Sequence, residues 1–574
     1  MKPETKTLLK GKQKAKIEHT KSLIKGLFSP FILPAFALFF TGYSAVAQDK
    51  TAEVDKVFSW ASKETPGCVC AVSQNGKVVV NRAYGSADLE REVPLDLNSV
   101  FDIGSVRKQF IAAATLLLVE EKKLSFTEDI HKYLPELPDY GQKITLDHLL
   151  THTSGIRDWT GLLPLANGKP EAITLILRQR GLNFKPGEEW SYSNSGYVLL
   201  VEIVSRTTGM PFADFARKRL FEPLGMKSTT YVTDMTAAVK NRALGYEKTK
   251  DGWKLDMYLG NDRGGGAILS TATDLLLWNN ALSTNRLGAF VTEKLQEPAK
   301  LNNGRKLGYA RGLFLETYRG VKEVWHSGGA AGYHTWLGRF PEQGVSVAVL
   351  CNSDAKPATG LAERIVDQFV TYADSQPAIA STPPALTAEA LEEVKGKTGL
   401  FFNEKTGEPL RLAVDRDRFR IANGPGLVPV GKDRYRRFGA FVQFMSQDEF
   451  ELHFLSPDQF ELKSMEGKTS KYRRAQPFTP TSADLQAYSG RYQNDEIGAF
   501  FDMDTVNNNL MGRANDAPAP GFEFKPVSKD TFQLGGITLR FVRDKAGKVV
   551  ALDYSNPVVR NMRFTRSGDQ ASSR

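Results

Sequence analysis

A serine and a lysine stand three residues apart at the start of an apolar segment, FDIGSVRKQFIAAATLLLVEE (Phe101 to Glu121). Residues three apart on a helix share a face, so a helix that begins near Ser105 brings its hydroxyl beside the Lys108 amine. A serine hydroxyl is a weak nucleophile until a neighbouring base accepts its proton. The positive end of the helix dipole and its free N–H groups also favour a developing oxyanion. The pair suggests nucleophilic catalysis, although a helix cap beside a surface lysine is an alternative for this motif alone.

A second motif offers proton transfer and amide recognition. WSYSNSGYVLLVEIV (Trp190 to Val204) places Tyr192 and Asn194 directly before another apolar helix. A tyrosine close to a cation can relay protons, and a carboxamide can hold the amide of a substrate. By itself, Tyr-Ser-Asn also fits an ordinary loop with capping residues.

A third motif combines a histidine with glycines at the end of a predicted strand. In EVWHSGGAAGYHTWLGRF (Glu323 to Phe340), His326 is followed by Gly328 and Gly329. Glycines in a strand allow a ligand or another backbone to approach closely. We expect this strand edge to lie beside a bound substrate.

Other candidate motifs are weaker. His148 and His152 have the spacing of a helical metal pair, but Leu-Leu-Thr separates them and the glutamate of His-Glu-x-x-His is missing, which favours a structural role. No Gly-x-Ser-x-Gly occurs, so the sequence gives no support to an α/β-hydrolase. The predicted chemistry requires no metal or cofactor.

The elements around these motifs indicate a mixed α/β domain from about residue 52 to 373. VCAVSQNGKVVVNRAYG (Val69 to Gly85) predicts two strands joined at Asn75-Gly76, and GVSVAVLCNS (Gly344 to Ser353) predicts a distant strand. The Phe101 to Glu121 segment reads as a buried helix, because nearly every position is apolar. Strands at both ends with helices between them imply one sheet closed by distant segments.

The C-terminal part changes to strand-like alternation after a Pro-, Ala- and Ser-rich linker, residues 373–386. Two small antiparallel β domains are predicted, 387–476 and 477–574. Their openings, ALEEVKGKTGLF and DLQAYSGRYQND, are alike, which suggests a degenerate repeat.

The net charge of +10 arises mainly at the N-terminus and does not indicate a nucleic-acid partner. The first 47 residues contain eight lysines and two glutamates. Within the same stretch, the apolar run Leu27 to Phe40 is followed by an Ala-x-Ala site that ends at Ala47. This pattern predicts a signal peptide, residues 1–47, and export to the periplasm or the exterior. An uncleaved membrane anchor is the alternative, but the run is shorter than the ~20 residues of a span and is broken by Pro30 and Pro34.

Three cysteines do not make a disulfide framework. Cys68 and Cys70 have strand spacing and point the same way, so we expect them to face a core and not to pair with each other.

The order Ser105-x-x-Lys108, Tyr192-x-Asn194 and His326-x-Gly328 resembles the serine β-lactamase and penicillin-binding protein superfamily. The resemblance spans about residues 52–370 and implies, for 48–372, an α/β (α+β) catalytic domain with an antiparallel sheet flanked by helices and a helical subdomain. It also implies that Ser105 is the nucleophile and that the N–H groups of Ser105 and Gly329 form the oxyanion hole.

Two departures from the β-lactamase pattern bear on the substrate. Tyr-x-Asn is typical of the class C enzymes and of their esterase and aminopeptidase relatives. His326 stands where β-lactamases and transpeptidases usually carry lysine, and a histidine is mostly neutral at pH 7. His-x-Gly is similar to D-aminopeptidases and esterases, and the former also carry two C-terminal β barrels.

The sequence therefore predicts an exported serine hydrolase acting on amide or ester bonds through an acyl-enzyme, D-aminopeptidase-like or esterase-like. Lys108 and Tyr192 would share the acid and base roles, and Asn194, His326, Gly328 and Gly329 would bind a small-molecule or peptide substrate. β-lactamase or DD-carboxypeptidase activity and a non-catalytic scaffold are the alternatives. No nucleic acid or stable membrane insertion is expected, and the oligomeric state is left open.

Overall fold

The computed structural model describes residues 50–568 except 169, 259–265, 373–384, 406–408, 423, 439–449, 465–468 and 477. The predicted signal peptide, residues 1–47, and most of the predicted linker, 373–386, lie outside these residues. The chain divides into a unit through Lys56 and a second unit, Val57–Arg574. All elements described below belong to the second unit.

A six-stranded antiparallel sheet is built from the two ends of the first domain. Asn75 and Gly76 both have positive φ (50° and 76°), so the predicted turn joins the first two strands as a hairpin. The first strand then pairs along its whole length with the last one. The strands are β1 (Cys68–Gln74), β2 (Lys77–Tyr84), β10 (Phe314–Tyr318), β11 (Val321–Ala330), β12 (Tyr333–Phe340) and β13 (Val345–Cys351). Across the sheet their order is β10-β11-β12-β13-β1-β2.

A disulfide joins β1 and β13, which are distant in the sequence and adjacent in the sheet. Cys68 lies opposite Cys351 in the β1–β13 register, and their sulfurs are bonded. Cys70 is free and buried. Cys68 and Cys70 do not pair with each other, as expected, but the bond to Cys351 was not foreseen.

Helices, loops and short strands make up the chain between β2 and β10, and a further helix follows β13. In chain order the helices of this domain are α1 (Lys108–Glu120), α2 (Leu146–Leu150), α3 (Trp159–Leu162), α4 (Ala172–Leu177), α5 (Asn194–Thr208), α6 (Phe212–Ala216), α7 (Glu222–Leu224), α8 (Ala272–Ser283), α9 (Ala289–Leu295) and α10 (Ala358–Phe369). Short strands complete it: β3 (Ser86–Asp88), β4 (Val93–Pro94), β5 (Phe101–Asp102), β6 (Thr230–Val232), β7 (Tyr246–Thr249), β8 (Gly252–Leu255) and β9 (Ala267–Ser270).

Helix α1 is the centre of the main core. Lys108 to Leu118 are all buried, because the helix lies within the main hydrophobic cluster, which includes residues of the sheet and of other helices. The prediction of a buried helix is confirmed, but its start is later than expected. Phe101–Asp102 form a strand, and a 3₁₀ turn, Gly104–Arg107, precedes the α-helix.

Each predicted β domain is a closed eight-stranded barrel preceded by a short helix, so the fold class predicted from sequence and resemblance is confirmed. The helices are α11 (Ala388–Lys395) and α12 (Ser482–Tyr488). The first barrel contains β14 (Gly399–Asn403), β15 (Pro409–Asp415), β16 (Arg418–Ile421), β17 (Gly426–Gly431), β18 (Arg434–Phe438), β19 (Phe450–Ser456), β20 (Gln459–Ser464) and β21 (Thr469–Arg474). The second contains β22 (Gly490–Asn494), β23 (Ala499–Val506), β24 (Asn509–Ala514), β25 (Phe522–Ser528), β26 (Thr531–Leu534), β27 (Ile537–Arg543), β28 (Val549–Asn556) and β29 (Val559–Arg566).

The two barrels share their local chemistry as well as their strand order. Gly399 and Gly490 open the first strand of each barrel with similar positive φ values, 134° and 141°. In each case a Cβ would lie within 3 Å of an arginine from the last strand, Arg474 or Arg566. These matched positions agree with a repeat, while the limits 387–476 and 477–574 stay predictions. Throughout the described ranges, no helix combines the length and apolar character required to cross a bilayer.

Candidate active site

The Lys108 amine is the centre of the predicted catalytic group. Its Nζ donates to Ser105 Oγ at 3.1 Å and to Asn194 Oδ1 at 2.8 Å. It also lies 4.6 Å from the centre of the Tyr192 ring. Four predicted residues from two separate segments therefore meet at one nitrogen. Ser105 and Lys108 are respectively 8% and 1% exposed, which leaves the hydroxyl as the more accessible of the two.

Close backbone contact places Ser105 against strand β11. Gly104 has φ +54°, and a Cβ there would lie 2.6 Å from the Gly329 nitrogen. A Cβ on Gly328 would lie 2.1 Å from the Ile103 carbonyl oxygen, which also accepts the Thr335 hydroxyl at 2.9 Å. Both glycines are therefore required for the approach. Gly329 is exposed, and a Cβ there would meet nothing within 4 Å, so open space adjoins the strand beside Ser105.

His152 holds the loop that carries Tyr192. Its Nδ1 accepts the Ser193 N–H at 3.1 Å, and its Nε2 lies 3.0 Å from the Tyr309 hydroxyl. Its ring packs 4.4 Å from the Tyr192 ring, centre to centre. The structural role favoured for His152 fits these contacts, and His148 caps helix α2 through Thr145.

Asn194 is fixed at the first turn of helix α5. The Ser193 side chain caps this helix by accepting the Gly196 N–H. The Asn194 N–H donates to the carboxylate of Asp158, which is 1% exposed. With its backbone held in this way, the Asn194 carboxamide faces the Lys108 amine.

Burial determines the protonation of Lys108. Desolvation lowers its pKa well below the ordinary value of 10.5, and the neighbouring Arg107 charge lowers it further, while the Asp158 carboxylate raises it. A neutral amine hydrogen-bonded to a serine hydroxyl can accept the proton of that hydroxyl. The geometry and the electrostatics are thus those of a general base and its nucleophile.

His326 lies behind Tyr192 and is completely buried. Its Nδ1 lies 2.6 Å from the Ser327 carbonyl oxygen, and burial lowers its pKa to about 3. Its ring lies 6.1 Å from that of Tyr192. The imidazole is therefore neutral at physiological pH, and its Nε2 has no hydrogen-bond partner among the described residues.

The structure brings Ser105, Lys108, Tyr192 and Asn194 together and sets Gly328 and Gly329 against the Ser105 turn. Sequence reasoning missed the supporting residues. The spacing of His148 and His152 drew attention to His152, but no local pattern indicated that Asp158 or Tyr309 would join the site.

Comparisons with known proteins identify the family of the first domain and relatives of the chain. Residues 48–370 match the beta-lactamase family. Penicillin-binding protein 4* of Bacillus subtilis is 31% identical over 313 residues, 49% of this chain and 67% of that protein. The D-aminopeptidase of Brucella ovis is 24% identical over 536 residues, 87% of this chain and 96% of that protein. The octameric penicillin-binding protein homologue from Pyrococcus abyssi has a similar fold (TM-score 0.50, 22% identity, 76% of this chain and 100% of that one).

Fold and family indicate a serine hydrolase, and in it the predicted nucleophile Ser105 lies beside the buried Lys108. The chain belongs to the beta-lactamase family.

Proposed function

We propose that this protein is an exported hydrolase that cleaves amide or ester bonds through an acyl-enzyme, with D-amino-acid amides and short esters as its substrates. The observation that carries the proposal is the buried Lys108 amine, hydrogen-bonded to Ser105 and Asn194. Similarity to a D-aminopeptidase across both barrels supports the substrate class.

The steps follow from the positions of the residues. Ser105 Oγ attacks the substrate carbonyl carbon and its proton passes to neutral Lys108. The N–H groups of Ser105 and Gly329 receive the oxyanion. The amine or alkoxide leaves with a proton relayed by Lys108 and Tyr192, which gives an ester on Ser105. Water then attacks this ester and releases the acid.

His326 supports the choice of substrate. A lysine at this position would offer a permanent cation to a substrate carboxylate, whereas the buried imidazole is neutral. Substrates without a carboxylate at that position should therefore be preferred over penicillins and D-Ala-D-Ala peptides.

Export rests on the predicted signal peptide and gains support from the Cys68–Cys351 disulfide. Such bonds persist in oxidising compartments and are rare in the cytosol. Mass spectrometry of the mature protein tests the signal peptide, because cleavage after Ala47 would leave Gln48 as the first residue.

Two experiments test the activity. A fluorophosphonate probe should add to Ser105, and intact-mass labelling that persists in Ser105→Ala contradicts the assignment. A panel of D-alanine amide, its L-isomer, a short ester, penicillin and a D-Ala-D-Ala peptide then ranks the substrates. Penicillin in first place would instead favour β-lactamase activity, and D-Ala-D-Ala in first place carboxypeptidase activity.

A further inference from the structure

A turn of the second barrel lies against the catalytic domain beside Asp158. The turn joins β28 to β29, and its Val558 carbonyl accepts the Asp158 N–H at 3.3 Å. Asn556 donates its side-chain Nδ2 to the Gly161 carbonyl at 2.9 Å, while its Oδ1 accepts the Val558 and Val559 N–H groups. One carboxamide thus shapes the turn and attaches it to the catalytic domain.

Further polar contacts surround this turn. Asn183 donates to the Val558 carbonyl at 2.9 Å and accepts the Arg560 N–H at 2.8 Å. Arg157, directly before Asp158, forms an ion pair with Glu496 of the barrel at 3.1 Å, and their side chains are only 6% and 14% exposed. Because removing one partner of a buried pair leaves an uncompensated charge, this ion pair makes the contact specific for these two surfaces.

The apolar contacts are equally extensive. Leu162, Leu165 and Leu175 of the catalytic domain belong to the same hydrophobic cluster as the barrel interior. A Cβ on Gly161 would lie 2.5 Å from a methyl group of Val558, which shows how closely the two surfaces approach. The segment around Asp158 therefore depends on the barrel for its packing.

Asp158 continues this support into the active site. One carboxylate oxygen accepts the Asn194 N–H, and the other accepts the N–H and hydroxyl of Thr160 at 2.8 and 2.7 Å. Asn194 in turn accepts the Lys108 amine at 2.8 Å. An unbroken series of contacts thus runs from Val558 through Asp158 and Asn194 to Lys108.

We propose that the second barrel is a structural part of the active site, and that its Asn556–Val559 turn keeps Asp158, a positioning residue, in place for Asn194 and Lys108. The proposal rests on the serine chemistry at Ser105 and is independent of which substrate is used. It differs from substrate gating, in which a loop of a C-terminal barrel limits which substrates enter. The sequence predicts Gly512 to Phe522 as the candidate for such a loop, because this stretch is rich in Gly, Pro and Asn and interrupts a strand-like domain. In the structure Gly512–Ala514 continue strand β24, and Asn515 contacts the Leu165 carbonyl. Gating by that stretch stays a prediction.

Two matched variants test the role of the turn in the full-length protein. Asn556→Ala and Asn515→Ala each remove one carboxamide bond from the barrel to a catalytic-domain carbonyl, at Gly161 and Leu165 respectively. The measured quantity is the second-order rate of Ser105 labelling by a fluorophosphonate. We expect a loss of about tenfold or more in Asn556→Ala, because small displacements of catalytic groups are costly, and a change of less than about twofold in Asn515→Ala. Circular dichroism and thermal melting confirm that both variants are folded.

Asp158→Asn should change the pH dependence of the labelling rate, which a loss of stability alone would not change. The Asp158 carboxylate raises the pKa of Lys108, so the neutral amide should lower it and shift the acidic limb of the labelling rate to lower pH. A rate that falls without a shift of this limb overturns the positioning role, and equal effects of the two asparagine variants overturn the role of the turn. Absence of labelling in the wild type contradicts the proposed function as well, whereas wild-type labelling with an unaffected Asn556→Ala overturns only this inference.

Discussion

Replacement of Gly104 by alanine should disable the enzyme with little loss of fold. Gly104 has φ +54°, and its added Cβ would lie 2.6 Å from the Gly329 nitrogen, where an ordinary contact needs about 3.4 Å. The Ser105 turn and strand β11 must then separate by about 0.8 Å. A displacement of that order at reacting groups reduces rate by about 100-fold. The backbone strain itself costs about 1–2 kcal/mol.

A matched control separates the displacement from the strain. Gly209 also has positive φ (68°), but a Cβ there would meet nothing within 4 Å. Gly209→Ala should therefore lose similar stability in urea unfolding and keep the wild-type kcat/KM for a short ester. The reasoning is refuted if Gly104→Ala retains kcat/KM within about twofold of Gly209→Ala.

Three other outcomes are expected. Burial, with Glu316 and Glu363 nearby, raises the pKa of Glu323 well above its ordinary value, so its stabilising contribution is complete at low pH and is lost as pH rises. Glu323→Gln should therefore be more stable than wild type at pH 8 and equal to it near pH 4, as measured by urea unfolding at both pH values. Removal of the Cys68–Cys351 disulfide, which closes a loop of 283 residues, should cost about 3–5 kcal/mol in the same assay, and dithiothreitol should have no further effect on the Cys68→Ala/Cys351→Ala variant. His326→Gln should not shift the acidic limb of the kcat/KM profile measured from about pH 5 to 9, because His326 has a pKa of about 3 and stays neutral across this range. A shifted limb would show that His326 titrates within the range.

Local patterns in the sequence predicted a large part of the architecture and which candidate catalytic residues lie together. The Asn75-Gly76 turn needs only two residues with positive φ, and Ser105 and Lys108 are three residues apart, so neighbours along the chain determine both features. The similar openings of the two β domains likewise predicted two domains of one kind. Ser105 nevertheless lies in a 3₁₀ turn and not in the α-helix, because Gly104 must bring the backbone against Gly328 and Gly329.

Contacts between distant segments could not be read from the sequence. Cys68 and Cys351 are 283 residues apart and meet only because β1 pairs with β13. Asp158 looks like an ordinary capping residue, and its importance comes from Val558 on one side and Asn194 on the other. Such contacts depend on the three-dimensional arrangement of whole domains, which local periodicity does not encode.

The pH dependence of Ser105 labelling tests the central claim most directly, namely that a neutral Lys108 is the base for Ser105. Fluorophosphonate labelling from about pH 4 to 11, with the modified residue identified by peptide mapping, gives the ionisation that controls the nucleophile. We expect modification at Ser105 alone, with an acidic limb well below 10.5, the ordinary pKa of lysine, because burial disfavours the charged amine. A limb close to 10.5, or a modified residue other than Ser105, would contradict the account.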